Sequence, residues 1–388
     1  MSIDFELSPL EQDIRHAVQM LCLRFPDEYW RGLDRTKSYP EAFVKALTEA
    51  GWLSILIPEA YNGGGLGIAA ASIVLEEIHH AGGNAAACHA QMYMMGTLLR
   101  HGSEVQKQAY LPHIASGQLR LQAFGVTEPD AGSDTTSIRT RAERQGDRYV
   151  INGQKVFTSR AEYSDLMLLL ARTAPYDPQR RAEGLSIFLV DLREAFGRGL
   201  QIQPLETMLN HATTQLFFDD LEIPAENLIG EEGQGFRYLL DGLNAERILI
   251  AAECIGDGRW FIDRASAYAT QRQVFDRPIG ANQGVQFPLA AAYANIEAGA
   301  LMTLKAARLF DAGQPCGAEA NMAKLLASEA SWQAANACLD AYGGYGFATE
   351  YDVERKFRET RLYKIAPVNN NLILAYLAHN ILGLPKSY

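Results

Sequence analysis

Hydroxyls and backbone donors crowd into short turns along this chain of 388 residues, and one carboxylate stands among apolar side chains. The turn Gly125-Val126-Thr127-Glu128-Pro129-Asp130-Ala131-Gly132-Ser133-Asp134 follows an extended apolar run over residues 119–124. Its small residues let backbone N–H groups and the Thr127 and Ser133 hydroxyls approach a flat, polar ligand. A plain surface turn after a strand is the alternative. Glu246 lies within residues 242–251, where helical spacing surrounds it with Leu243, Leu249 and Ile250. Desolvation there raises a carboxylate's pKa and makes it a better proton acceptor. Alternatively it is a structural glutamate paired with the adjacent Arg247. Arg272, followed by Gln273-Val274-Phe275, offers a forked contact to phosphate oxygens, or else a solvated helix end. His211 either packs in a β domain or moves protons.

The elements that must hold these residues change period along the chain. Residues 9–24, 40–50, 69–80, 84–101 and 105–116 carry helical apolar spacing or strong helix formers, with turn clusters such as Asn62-Gly63-Gly64-Gly65 between them. The middle third is strand-like. Tyr149-Val150-Ile151 and Gln154-Lys155-Val156-Phe157 flank Asn152-Gly153, which predicts a tight hairpin. Residues 166–170, 185–190 and 214–218 add further strands. Helical patterns return over about 236–270, 283–312, 318–340, 350–362 and 368–382. We therefore expect an α+β protein: helices in 1–120, a β domain in 121–234 and helices in 235–388.

Composition excludes several classes. A net charge of −11 argues against nucleic acid and anionic lipid as general partners. No apolar run approaches the ~20 residues of a membrane span. The N-terminus, with Asp4 and Glu6, lacks the basic and apolar regions of a signal peptide. The five cysteines, Cys22, Cys88, Cys254, Cys316 and Cys338, are scattered, so a reducing, cytoplasmic setting is expected and no metal site is read. No strand leads into a Gly-x-Gly-x-x-Gly helix start, which argues against a nicotinamide-binding unit.

The 125–134 turn resembles the first signature of the acyl-CoA dehydrogenase flavoproteins. Asp340-Ala341-Tyr342-Gly343-Gly344-Tyr345-Gly346-Phe347 is similar to the second, and the match spans most of the chain. The resemblance implies an N-terminal helical domain, a central β-barrel-like domain, a C-terminal four-helix bundle, bound FAD and a homotetramer. It implies that Phe124, Val126, Thr127, Gly132 and Ser133 meet the flavin, with Phe157 beside the ring and Thr158 and Ser159 near its redox-active edge. Arg272, Phe275 and Gln283 would reach a neighbouring subunit's FAD; Asp340, Gly343, Gly344, Asn369 and Asn371 would complete the cofactor set. Asp340 stands where glutamine is common and cannot donate, and Asp276 where glycine is common.

Much of the family supplies its base from a loop after the second signature. Aligning Leu362-Tyr363-Lys364-Ile365-Ala366-Pro367-Val368-Asn369 with that loop places Pro367, which has no acid–base group and no N–H, at the glutamate position. The segment around Glu246 resembles the helix that carries the base in the isovaleryl and long-chain branches. By that resemblance Glu246 takes the α-proton, while Ser133, Asn244, Arg247 and Val368 meet the acyl-CoA ligand and an electron-transfer flavoprotein takes the electrons. Rival readings keep the fold but act on an acyl-carrier-protein thioester, work as an oxidase or monooxygenase, or bind acyl-CoA and FAD without catalysis.

Overall fold

The computed structural model of the protein describes residues 6–366 and 368–386, so Asp4 and Pro367 lie outside the described residues. In chain order the elements are α1 (Pro9–Cys22), α2 (Asp27–Thr36), α3 (Glu41–Glu49), α4 (Ile68–His80), α5 (Ala86–His101) and α6 (Glu104–Ala115). Next come β1 (Leu121–Gly125), β2 (Arg141–Gln145), β3 (Arg148–Ser159), β4 (Leu166–Arg172), β5 (Leu185–Asp191), α7 (Leu192–Ala195), β6 (Leu200–Pro204), β7 (Thr213–Pro224) and β8 (Leu228–Ile229). They are followed by α8 (Gly235–Gln271), β9 (Gln273–Val274), β10 (Arg277–Pro278), α9 (Gln283–Asp311), α10 (Gly317–Tyr342), α11 (Val353–Arg361) and α12 (Asn370–Tyr376). No described helix is long and apolar enough to cross a membrane.

Contacts divide the chain into two compact units. The first holds the described residues to Thr36, Gly67–Ala85, and those from Asn244 on; the second holds Lys37–Leu66 and Ala86–Leu243.

The second unit is built on a sheet in the order β6-β7-β3-β2-β4-β5-β8, with β1 added parallel to β4. Every residue of β4 is buried. Leu166, Leu168 and Leu170 face one apolar cluster and Met167, Leu169 and Ala171 another, as the twofold side-chain period of a strand requires. The expected hairpin at Asn152-Gly153 is not formed. β3 runs straight through it, paired along its length with β7, and the turn lies earlier, between Gln145 and Arg148. Gly153 (φ +147) is instead a register irregularity, where a Cβ would run into Thr140. Asn152 Nδ2 donates to Asp220 Oδ1 at 2.8 Å and its Oδ1 accepts from Asp220 N at 3.0 Å. Pairing with a distant strand has overridden local turn chemistry.

In the first unit α10 packs on α9 and α11, and α4 packs on α1 and α9. Ala320, Ala323, Ala327, Ala330 and Ala334 form a buried small-residue stripe along α10. Gly256 lets α8 lie close to α4, since a Cβ there would overlap the Glu76 carbonyl oxygen. Helix α2 falls outside the segments read as helical. Trp30 is its one buried residue among those described, and ion pairs hold it: Arg31 to Asp352 at 2.7 Å and Asp34 to Arg358 at 2.7 Å. All five cysteines are free and buried, and no described His, Cys, Asp and Glu residues group as metal ligands.

Candidate active site

In the second unit, β1 ends at Gly125 and the 125–134 turn is riveted from beneath. The Glu128 carboxylate accepts from Arg139 N at 2.6 Å, Thr140 N at 2.9 Å and Lys155 Nζ at 2.8 Å, and Lys155 Nζ also donates to Val126 O at 2.9 Å. Lys155 is fully buried, and burial pulls its ammonium down to about 8 although Glu128 opposes the shift. Burial pushes Glu128 up, but Lys155 and the other donors outweigh it and hold the carboxyl below its ordinary value. Val156 N donates to Thr127 O at 2.9 Å, which ties the turn to β3.

This frame groups Val126, Thr127, Phe157, Thr158 and Ser159. Phe157 is held at φ +57 with its ring 62% exposed, while the Thr158 hydroxyl is buried with no partner among the described residues. Phe124 lies half-buried, its ring 6.5 Å from Tyr93, and Gly132 and Ser133 are exposed on the turn. Glu128 and Lys155 escaped the sequence reading as site-forming residues. The signal was a lysine in a strand otherwise alternating toward the core.

In the first unit, Glu246 is 6% exposed, with Leu249 and Ile250 buried beside it. Arg247 and Lys324 act on it electrostatically. Burial draws the Arg247 guanidinium down, Glu246 opposing; its Nη1 donates to Asn244 Oδ1 at 3.2 Å, and its buried Nε has no partner among the described residues. Lys324, fully buried, donates to Val368 O at 2.8 Å and Asn370 Oδ1 at 2.8 Å, and burial draws it down to about 8. Val368 sits at φ +130, a strained setting for a β-branched residue. Asn369 caps α12 by accepting from Leu372 N at 2.9 Å, while Asn371 is exposed. Lys324 thus braces the loop carrying Val368 and acts on Glu246 only through space, a role not read from the sequence.

Arg272 and the glycine-rich turn form a further group. The Arg272 guanidinium lies 6.0 Å from the Tyr345 ring centroid, and Gly343 (φ +57) ends α10 by donating to Asp340 O. β9 and β10 form a two-residue hairpin through Phe275 (φ +51) and Asp276 (φ +59). Aspartate tolerates this left-handed setting, so the turn forms without glycine. Phe275 is 94% exposed and Gln283 is also exposed.

Comparison with known proteins gives the family. Residues 8–118, 123–221 and 233–382 match the N-terminal, middle and C-terminal domains of acyl-CoA dehydrogenases. The chain is 36% identical to acyl-CoA dehydrogenase FadE12 of Mycobacterium tuberculosis (strain ATCC 25618 / H37Rv), covering 97% of each. It superposes on the glutaryl-coenzyme A dehydrogenase–glutaryl-CoA complex with a TM-score of 0.92 at 32% identity, covering 99% of this chain and 98% of that one. PigA with FAD and proline gives 0.91 at 25% identity, covering 98% and 100%.

The chain belongs to the acyl-CoA dehydrogenase family, as an oxidoreductase whose cofactor is FAD. The residues present fit that cofactor: an exposed aromatic beside a buried hydroxyl with no partner among the described residues in one unit, and in the other an arginine near the Tyr345 ring of a glycine-rich turn.

Proposed function

We propose that this enzyme desaturates an acyl-CoA thioester between Cα and Cβ, with Glu246 removing the α-proton. FAD, when bound, supplies the acceptor for the β-hydride. The products are an α,β-enoyl thioester and a reduced cofactor, whose electrons leave to an external flavoprotein carrier. The observation that carries this reading is the buried carboxylate of Glu246 between apolar neighbours. A carboxylate held among apolar neighbours suits general-base chemistry, and Arg247 and Lys324 act on it electrostatically.

Asn244, Arg247, Val368 and Ser133 orient the thioester. Phe124, Val126, Thr127, Gly132, Phe157, Thr158 and Ser159 hold the flavin, with Asp340, Gly343, Gly344, Asn369 and Asn371. Arg272, Phe275 and Gln283 serve the FAD of a neighbouring copy in a homotetramer, which gives the exposed Phe275 ring a partner. The buried Nε of Arg247 suits a polar ligand atom.

Glu246→Gln tests the assignment. Purified variant should retain yellow FAD, while anaerobic bleaching by an acyl-CoA panel slows about 10²–10⁴-fold, the usual worth of a general base. Bleaching at the wild-type rate would remove Glu246 from the role.

A further inference from the structure

Helix α4 ends in His79 and His80, and the turn behind it, Ala81-Gly82-Gly83-Asn84-Ala85, is the last stretch of the first unit before α5 begins in the second. Buried side chains grip this turn atom by atom. From α11, Arg355 Nη2 donates to Gly82 O at 3.0 Å and Lys356 Nζ to Gly83 O at 2.9 Å. Ala85 N donates to His79 Nε2 at 3.0 Å, while His79 Nδ1 lies 2.8 Å from Asp257 Oδ1 on α8. His79, Ala85 and Asp257 are wholly buried. An imidazole nitrogen that accepts from a backbone N–H carries no proton. His79 is therefore the neutral tautomer, with its one proton on Nδ1 and directed at Asp257.

The surroundings offer that ring a second state. Nε2 is 3.8 Å from Glu253 Oε2, one turn before Asp257 on α8. Within this buried cluster the carboxylates Glu253, Asp257, Asp352 and Glu359 outnumber the cations Lys356 and Arg355. Arg31, which reaches Asp352 at 2.7 Å, still leaves an excess of negative charge. Lys356 Nζ is already divided among Asp257, Gly83 O and Glu359, the last at 3.3 Å, and Asp257 Oδ2 is sealed from solvent with no hydrogen-bond partner among the described residues. Tyr363, its ring 6.1 Å from His79, gives its hydroxyl to Glu253, and burial keeps the adjacent Cys254 thiol protonated. The other charged groups of α4 have partners of their own: Glu76 pairs with Arg15 and Arg259, Glu77 with Arg15, and His80 with Asp263. From α1 and α9, packed on α4, come Arg15 itself and Glu297, which pairs with Arg259. A proton placed on Nε2 gains Glu253 and loses Ala85, because two N–H donors cannot share one bond.

We propose that His79 is a pH-sensitive latch on the passage from α4 to α5. With Nε2 unprotonated, the ring accepts from Ala85 and the end of the turn is held. As pH falls the ring takes a proton, Nε2–H turns to Glu253, and the Ala85 N–H is left without its acceptor. Arg355 and Lys356 keep their bonds to Gly82 and Gly83, so the release is local to the last residues of the turn. Its output is the start of α5, the helix that packs on β1, the strand that runs into the 125–134 turn.

Hydrogen exchange of the FAD-loaded enzyme, read by mass spectrometry and corrected for the intrinsic pH dependence of exchange, tests the latch between about pH 8 and about pH 5, the interval in which histidines change charge. Protection of the peptide spanning residues 81–86 should fall about tenfold or more on acidification, the worth of one buried donor left unmatched, while peptides of α10 keep theirs. In His79→Gln, whose amide offers a donor and an acceptor but takes no proton, protection should not follow pH. In Glu253→Gln, which removes the carboxylate that receives the new N–H, the fall should begin at lower pH. Constant protection in wild type, a fall shared equally by α10, or a fall that persists unchanged in either variant overturns the proposal. If His79→Gln does not fold, wild type and Glu253→Gln decide the same question.

Discussion

The two units each bury a lysine whose ammonium is drawn down to about 8, yet the lysines are matched differently. Lys155 in the second unit meets a carboxylate, Glu128, and the carbonyl of Val126. Lys324 in the first bonds neutral oxygens, the Val368 carbonyl and the Asn370 side chain. Both brace a loop assigned to ligand binding. The contrast teaches that similar depression of a buried cation can conceal different liabilities. Removing Lys155 strands a buried anion that it hydrogen-bonds, whereas removing Lys324 strands neutral hydrogen-bond acceptors and withdraws only an electrostatic influence on Glu246 and Glu329.

The largest expected effect is therefore Lys155→Met, which should lower the unfolding free energy by about 3–5 kcal/mol and weaken FAD retention. Urea unfolding and the bound-flavin absorbance measure both. Lys155→Met combined with Glu128→Leu should recover part of that loss, because no charge is left behind; a double variant worse than the single would break the comparison. Lys324→Met should cost less, about 1–3 kcal/mol, and slow substrate-driven bleaching by disturbing the loop of Val368. Equal losses from both single methionine variants would erase the distinction.

Titration sharpens it further. Each lysine is depressed from 10.5 to about 8, so on lowering pH the unfolded chain takes up the proton first. Each contribution is complete above 10.5 and is lost as pH falls through about 8. The stability of wild type relative to either methionine variant should then rise between pH 8 and 10.5. The Lys155 comparison should also change in acid, more than that for Lys324, because Lys155 hydrogen-bonds a carboxylate directly while Lys324 acts on Glu329 and Glu246 only through space. Glu128 is held below its ordinary 4.5, and its share is lost as pH falls through that depressed value. A flat acid limb for Lys155→Met would contradict the ion-pair account. This is the smallest of the expected effects.

What the sequence disclosed and what it withheld follow the same divide between local and distant partners. The long helices α8, α9 and α10 were legible from periodicity, and β4 and β5 from uninterrupted apolar runs bounded by turn residues. The Asn152-Gly153 hairpin was misread because the residues that straighten β3 lie in β7, some sixty positions on. Helix α2 was missed because its stability comes from Asp352 and Arg358 rather than from an apolar stripe. At the site, the Thr-Glu-Pro turn, Phe157 and the glycine turn were singled out by resemblance to the family's signatures, and Glu246 by its apolar helical neighbours. Lys155 and Lys324 were not, since each acquires meaning only when remote backbone atoms come beside it.

The scattered, buried thiols provide a built-in reporter. Cys88 lies in one unit and Cys22, Cys254, Cys316 and Cys338 in the other, all shielded from solvent. Burial also pushes Cys22 and Cys338 up to about 12 and Cys254 well above the ordinary thiol value, so little reactive thiolate forms while the chain stays folded. A maleimide pulse during gradual denaturation would therefore mark each unit as it opens. Peptide mapping of the label, without any engineered probe, would give the order in which the two halves come apart.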